Sequence, residues 1–245
     1  MTATGLFLLG ARARTDYEIP VRWVWAPVAS YITWATIAIL AYLNRGQPAT
    51  QLTIPLGTLG LAGFASSALS SYLVYLLVNR RNQHFAMEET LLWSTLDTAK
   101  AEASQADMKT QLALSSAERD LAGLSNIGKE HSAILWALLT LIPYLGWIAL
   151  TYVLAFLTHD IGKHEQREDL VVEDIGRVTQ ALPLRTKRTP NRPVILYILT
   201  SFATLGVFLL PWLYQAVRDP QAHFEYHRSV ETTLLPVSGS QGGAN

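Results

Sequence analysis

Four apolar stretches divide this chain, at residues 21–43, 54–78, 132–157 and 194–217, and polar sequence separates them. None contains Asp, Glu, Lys or His, and only Arg22 stands at an edge. At 1.5 Å rise per residue each is long enough to cross a hydrocarbon core of about 30 Å. The pattern predicts an all-α, polytopic helical membrane protein with four hydrophobic segments. Trp23, Trp25 and Tyr42 flank the first segment, where interfacial aromatic residues belong. In the second, Gly63, Ser67 and Ser71 recur every four residues. Ala62, Ser66 and Ser70 repeat that spacing one position earlier. Such small-residue surfaces let helix backbones approach closely in lipid, so Gly63, Ser67 and Ser71 are the expected helix-packing residues.

The polar stretches are helical too. Residues 80–130 contain no proline, and Leu92, Leu96, Ala99, Ala103 and Ala106 form a seam that Ala113, Ala117, Leu121 and Leu124 resume. That is a short coiled-coil pattern, readable as one long helix or as a hairpin bent near residues 105–109. Val171, Ile175, Val178 and Leu182 share one face of a second soluble helix, which Pro183, Pro190 and Pro193 bring to an end. The expected organisation is a membrane helix pair over 1–79, a soluble helical stalk over 80–130, and a third membrane segment over 131–157. An amphipathic helix with a basic linker follows over 158–192, then a fourth membrane helix over 193–217 and a flexible tail over 218–245.

Pro143 and Gly146 sit in the middle of the third segment and leave two topologies open. If all four segments cross, the Lys and Arg near the membrane ends divide almost evenly between the two sides. If the third segment turns back at 143–146, the basic residues divide thirteen against three, with only Arg45, Arg218 and Arg228 opposite. Cytoplasmic loops carry the excess of Lys and Arg, so the re-entrant form places both soluble helices in the cytoplasm. Proline and glycine give the break a chemical basis; unpaired backbone in lipid opposes it.

A faint internal repeat concentrates the titratable chemistry. Shifting the chain by 80 residues aligns Tyr72 with Tyr152, Leu77 with Leu157, His84 with His164 and Glu88 with Glu168. In each copy His and Glu lie four apart, on one helical face. Asp160 extends the second copy by one turn. His84, Glu88, Asp160, His164 and Glu168 are therefore the candidate ligands for a divalent metal held through N and O atoms. The rival reading is an interfacial helix with charge pairs at i,i+4. His131 reads as interfacial. His223 and His227, also four apart, could bind a metal but read more simply as part of a solvated tail.

Composition narrows the function classes. Formal net charge is zero, so no global field recruits nucleic acid. Without cysteine there is no disulfide, thiol chemistry or thiolate metal site. No phosphate-cradling glycine loop, nucleophile elbow or His-Glu-x-x-His motif is present, and no cofactor is implied. Residues 151–169, Thr-Tyr-Val-Leu-Ala-Phe-Leu-Thr-His-Asp-Ile-Gly-Lys-His-Glu-Gln-Arg-Glu-Asp, resemble a motif in uncharacterised prokaryotic, especially archaeal, multispanning membrane proteins. That resemblance implies a membrane fold and no activity. The chain is also similar to insertase-type proteins in joining few membrane helices to a soluble coil, although there the coil follows the first helix and here the second. The leading expectation is a non-enzymatic cell-membrane scaffold or complex subunit, partnered by the bilayer and by a second copy or another membrane or cytoplasmic protein. The alternatives are a small channel, transporter or lipid-handling protein using Ser66, Ser67, Ser70 and Ser71, and a membrane metalloenzyme using the His/Glu residues.

Overall fold

The computed structural model describes residues 16–45, 49–103, 107–127, 131–179 and 188–239, and among them the chain is helical with no strand. A 3-10 turn, Val21–Val24, leads into α1, Trp25–Leu43; α2 is Ala49–Glu102, α3 Met108–Ile127, α4 Ala133–Leu141, α5 Leu145–Thr179, α6 Val194–Ala203 and α7 Leu209–Gly239. Three helical stretches are long and apolar enough to cross a membrane: Val21–Leu43, Gly57–Ala101 and Leu145–Val178.

Helices α1 and α2 run antiparallel. Trp23 packs on Tyr72 with ring centroids 5.5 Å apart, Ser30 Oγ lies 2.9 Å from Ser67 Oγ, and the Trp34 indole donates to Ser67 Oγ at 3.0 Å. Gly63 is where Trp34 crosses: an added Cβ would stand 3.1 Å from the indole. Ser71 faces α4 instead, donating to the Ala137 carbonyl at 2.6 Å.

The third apolar stretch reverses on itself. Ser132 caps α4 by accepting from the Leu135 amide at 3.2 Å. The helix stops at Ile142 and Pro143, and Tyr144 turns the chain with φ 64°. The Gly146 amide then donates to the Ile142 carbonyl at 2.8 Å, and a Cβ there would lie 2.5 Å from the Thr140 carbonyl oxygen. Only glycine lets the two arms start this close. Beyond the turn α4 lies antiparallel on α5: Trp136 stacks on Tyr152 at 4.7 Å and His131 on Phe156 at 4.1 Å.

The fourth apolar stretch is not the single helix that its length predicts. It breaks after Ala203 and reverses in the same way. The Gly206 amide reaches the Ser201 carbonyl at 2.7 Å and the Leu205 amide reaches Phe202 at 3.1 Å. This is the paired closure of a Schellman motif, with Leu205 at φ 51° and Gly206 at φ 90°. Tyr197 then packs on Phe208 and Trp212 at 5.1 and 5.4 Å, and the Arg192 guanidinium grips Asp219 at 2.7 and 3.0 Å. The region expected to be a flexible tail is helical as far as Gly239; residues 240–245 lie outside the described residues.

In the polar stretch α3 packs back along the end of α2. Lys100 pairs with Glu118 at 2.7 Å, and Ser125 donates to Glu89. Leu92, Leu96 and Ala99 of α2, Leu114, Ala117, Leu121 and Leu124 of α3, and Val171 and Ile175 of α5 close one core. A second core, built around Leu73, Leu77, Val153, Leu154, Trp212 and Leu213, joins the apolar parts of α2, α5 and α7. Thus α2, α5 and α7 are the long second arms of three hairpins. All three run from an apolar end to a polar end.

Candidate metal centre

Where the three long arms leave the apolar core, each presents one i,i+4 pair to the others. Helix α2 brings His84 and Glu88, α5 brings His164 and Glu168, and α7 brings His223 and His227. None of the six is more than 2% exposed. Two short nitrogen–nitrogen contacts meet at His223. His223 Nε2 lies 3.0 Å from His84 Nε2 and 2.9 Å from His227 Nε2. Glu168 brings one oxygen within 3.7 Å of His223 Nε2 and the other within 3.5 Å of His227 Nε2. The His164 ring stands 5.7 Å from those of both His84 and His223, so His84, His164 and His223 form one ligand-capable trio and Glu168, His223 and His227 another. Phe85 stacks on His164 at 4.1 Å and fixes its plane.

Two further carboxylates hold the imidazoles from behind. Asp16, from the segment before α1, lies 2.8 Å from His84 Nδ1. A carboxylate only accepts, so His84 carries its proton on Nδ1 and turns the Nε2 lone pair inward. Glu88 stands 3.5 Å from His227 Nδ1 and favours the same tautomer there. A carboxylate behind an imidazole is the usual support of a metal-bound histidine.

Proton bookkeeping at the centre favours a cation. His223 Nε2 carries at most one proton, which can lie along one of its two short contacts. A ring nitrogen has one in-plane site, either proton or lone pair, so His223 Nε2 can satisfy only one of the two contacts. A cation bound at either trio takes that site as a ligand. At metal–nitrogen distances of about 2.1 Å, neighbouring nitrogens of an octahedron stand about 3.0 Å apart and those of a tetrahedron about 3.4 Å. The observed 2.9 and 3.0 Å match octahedral edges. Between them the two trios offer four imidazoles and one carboxylate, with no sulfur, donors that suit Mn, Fe, Co, Ni or Zn in the divalent state.

Four of the five ligand candidates named from the sequence meet here; Asp160 does not. It lies one turn nearer the apolar end than His164 and is held at 2.7 Å by Arg81, one turn before His84. His131 Nε2 approaches the same carboxylate at 3.6 Å. Burial of His131 and the nearby Arg81 charge hold its pKa below the ordinary 6.5. The ion pair thus forms a separate layer between the apolar core and the histidines. His223 and His227, expected in a solvated tail, are buried at the centre. Their signal was positional: His84 follows its apolar stretch by six residues, His164 by seven and His223 by six. No sequence signal marks Asp16.

A cavity of about 30 Å³ beside this layer, lined by Arg80, Arg81, Phe85 and Phe224, touches His84 alone among the donors. It has room for about one water. Compared with known proteins, the chain matches no family model, no curated protein and no solved structure.

Proposed function

We propose that this protein is a multi-pass membrane metalloprotein that keeps one divalent first-row transition ion in a closed His/Glu centre at the cytoplasmic end of its helices. The observation that carries this reading is the pair of buried ligand-capable trios, His84, His164 and His223 on one side and Glu168, His223 and His227 on the other, which share His223. Burying these groups without compensation is costly, whereas a doubly charged cation balances Glu88 and Glu168. Asp16 has its own counter-charge in Arg80. The burial of every donor favours a resident ion over one that exchanges freely, and structural sites are closed in this way. The ion ties together three hairpins whose contacts are otherwise mostly apolar. A pure scaffold has no use for six buried titratable side chains at one point, so the metal reading takes precedence.

In this reading α1 and the apolar part of α2 cross the membrane, and the other two hairpins dip in and return. Leu145–Val178 as a whole is long enough to cross, but its charge-free part, residues 145–157, spans only about 20 Å at 1.5 Å per residue, and this reading leaves the polar remainder outside the hydrocarbon core. With both hairpins returning, fifteen of the sixteen Lys and Arg near the segment ends share one face and only Arg45 lies opposite. The positive-inside rule makes that face cytoplasmic. The test is metal analysis of the protein purified after growth in Mn-, Fe- and Zn-supplemented media. About one ion per chain is expected in at least one preparation, with release on acidification as protons compete for the imidazoles. Less than about a tenth of an equivalent in every preparation would overturn the assignment.

A further inference from the structure

An apolar cavity of about 370 Å³ lies at the opposite end of the bundle from the histidines, between the hairpin tips and α1. Tyr31, Trp34, Tyr144, Trp147, Phe202 and Leu205 form most of its wall. Trp147 is 17 residues from His164 on the same helix, so the cavity stands about 25 Å from the metal centre. Three properties mark it as built. The two non-glycine residues with positive φ among the described residues, Tyr144 and Leu205, both line it, as does Gly206 at φ 90°. Left-handed backbone at bulky residues is costly and concentrates at ligand clamps. The wall is also braced: Tyr31 packs on Trp147 at 4.4 Å while its hydroxyl donates to the Leu205 carbonyl at 3.1 Å. A Cβ on Gly206 would fall 2.6 Å from the Trp147 ring, so glycine there lets the indole close the wall.

Several polar groups of the wall are committed elsewhere. Thr151 donates to the Trp147 carbonyl at 2.8 Å, Ser201 to Tyr197 at 2.7 Å, and the Trp34 indole to Ser67 at 3.0 Å. What faces the cavity is therefore mainly hydrocarbon and aromatic ring. An apolar cavity of about 150 Å³ already accepts benzene; this one has more than twice that volume. Its rim, formed by Tyr144, Ile148, Phe202 and Leu205, is exposed and continuous with the apolar outer surface. The material at that rim in a bilayer is lipid chain.

We propose that this cavity is a specific binding site for the hydrocarbon chain of a membrane lipid, clamped between the two hairpin tips and α1. The proposal rests on the membrane placement and not on the metal. Its test is photolabelling of the protein in phosphatidylcholine–phosphatidylglycerol vesicles. One arm carries a phospholipid with a diazirine on its acyl chain, the other a polyprenyl phosphate with a diazirine on its isoprenoid chain. Label at Tyr31, Trp147 and Phe202 should exceed that at the exposed Ile134 and Leu138 of α4 by about tenfold in one arm, which also identifies the chain type. Ala35→Trp, which fills the cavity, should remove that excess and leave the α4 labelling unchanged. Equal labelling of cavity and α4 in the wild type overturns the proposal and leaves annular lipid only. Absence of label at both overturns it together with the membrane placement, while about one bound metal per chain would still stand.

Discussion

His223→Ala separates a metal ligand from a buried histidine that merely packs. His223 Nε2 is the one atom within 3.0 Å of two other imidazole nitrogens. If it ligates, its loss removes one donor of five. Structural zinc sites with four ligands bind with about 10–16 kcal/mol, which is about 2.5–4 kcal/mol per ligand. Removing this donor should weaken metal binding about 10²- to 10³-fold. The metal-free protein should respond oppositely, because the variant removes the one Nε2 contact that His223 cannot satisfy, although truncation leaves a cavity that offsets part of that relief. The assay is thermal unfolding in detergent, with saturating metal and again with a chelator. The wild type should lose much of its melting temperature to the chelator. The variant should lie far below the wild type with metal and close to it without. Equal destabilisation of the variant in both conditions would refute the reasoning, since a packing role has no means of sensing the ion.

Four further outcomes follow from the geometry. Asp16→Asn should lower metal affinity about 10- to 100-fold by removing the carboxylate that sets the His84 tautomer, whereas Asp160→Asn should leave affinity unchanged; calorimetric titration compares them. The second change should cost about 3–5 kcal/mol of stability by stranding the buried Arg81 charge. His131 has a pKa below 6.5 in the fold, so the unfolded chain takes the proton first. Its contribution is complete above pH 6.5 and shrinks as pH falls, and His131→Gln should flatten that part of a stability–pH profile. Gly146→Ala should destabilise by about 1–3 kcal/mol because its Cβ meets the Thr140 backbone, which cannot step aside; Gly162→Ala, with open space around it, should be neutral or gain up to about 1 kcal/mol. The chain has no cysteine, so single cysteines at Ser104, Thr186 and Gly46 report topology cleanly. The first two should react with an impermeant maleimide from the cytoplasmic face and the third from the other; opposite faces for Ser104 and Thr186 would exclude the returning hairpin.

Much of the architecture was legible in the hydrophobic pattern because apolar runs and a 3.6-residue seam depend on local sequence alone. The reversal at Pro143 and Gly146 was readable as one of two options, since a proline without its N–H and a glycine without Cβ are local facts. The reversal at 204–208 was not. It depends on Leu205 adopting a left-handed backbone, and nothing in a leucine advertises that; tertiary contacts hold it, from Tyr31 on its carbonyl and Trp147 over Gly206. That missed turn had a further cost. With the fourth stretch read as a crossing, His223 and His227 fell on the face opposite His84 and His164. The imidazoles then looked solvated, and Asp160 took a place in the site that belongs to α7.

The centre and the topology therefore constrain each other. His84, His164 and His223 can share an ion only if α2, α5 and α7 leave the apolar core on the same side. That requires an even number of passages between each pair of arms, which the α4–α5 and α6–α7 reversals supply. An i,i+4 pair led by histidine six or seven residues after each of the last three apolar stretches is a pattern that four simple crossings would scatter across two compartments. Its meaning comes only from the returns. Metal content thus serves as a topological measurement: converting either return into a crossing, for example by inserting apolar residues at 142–146 or 204–208, should abolish metal binding even with all seven ligand and support side chains intact. Retention of the ion in a verified crossing variant would show that the three helices do not meet as described, and the metal assignment would fail with the topology.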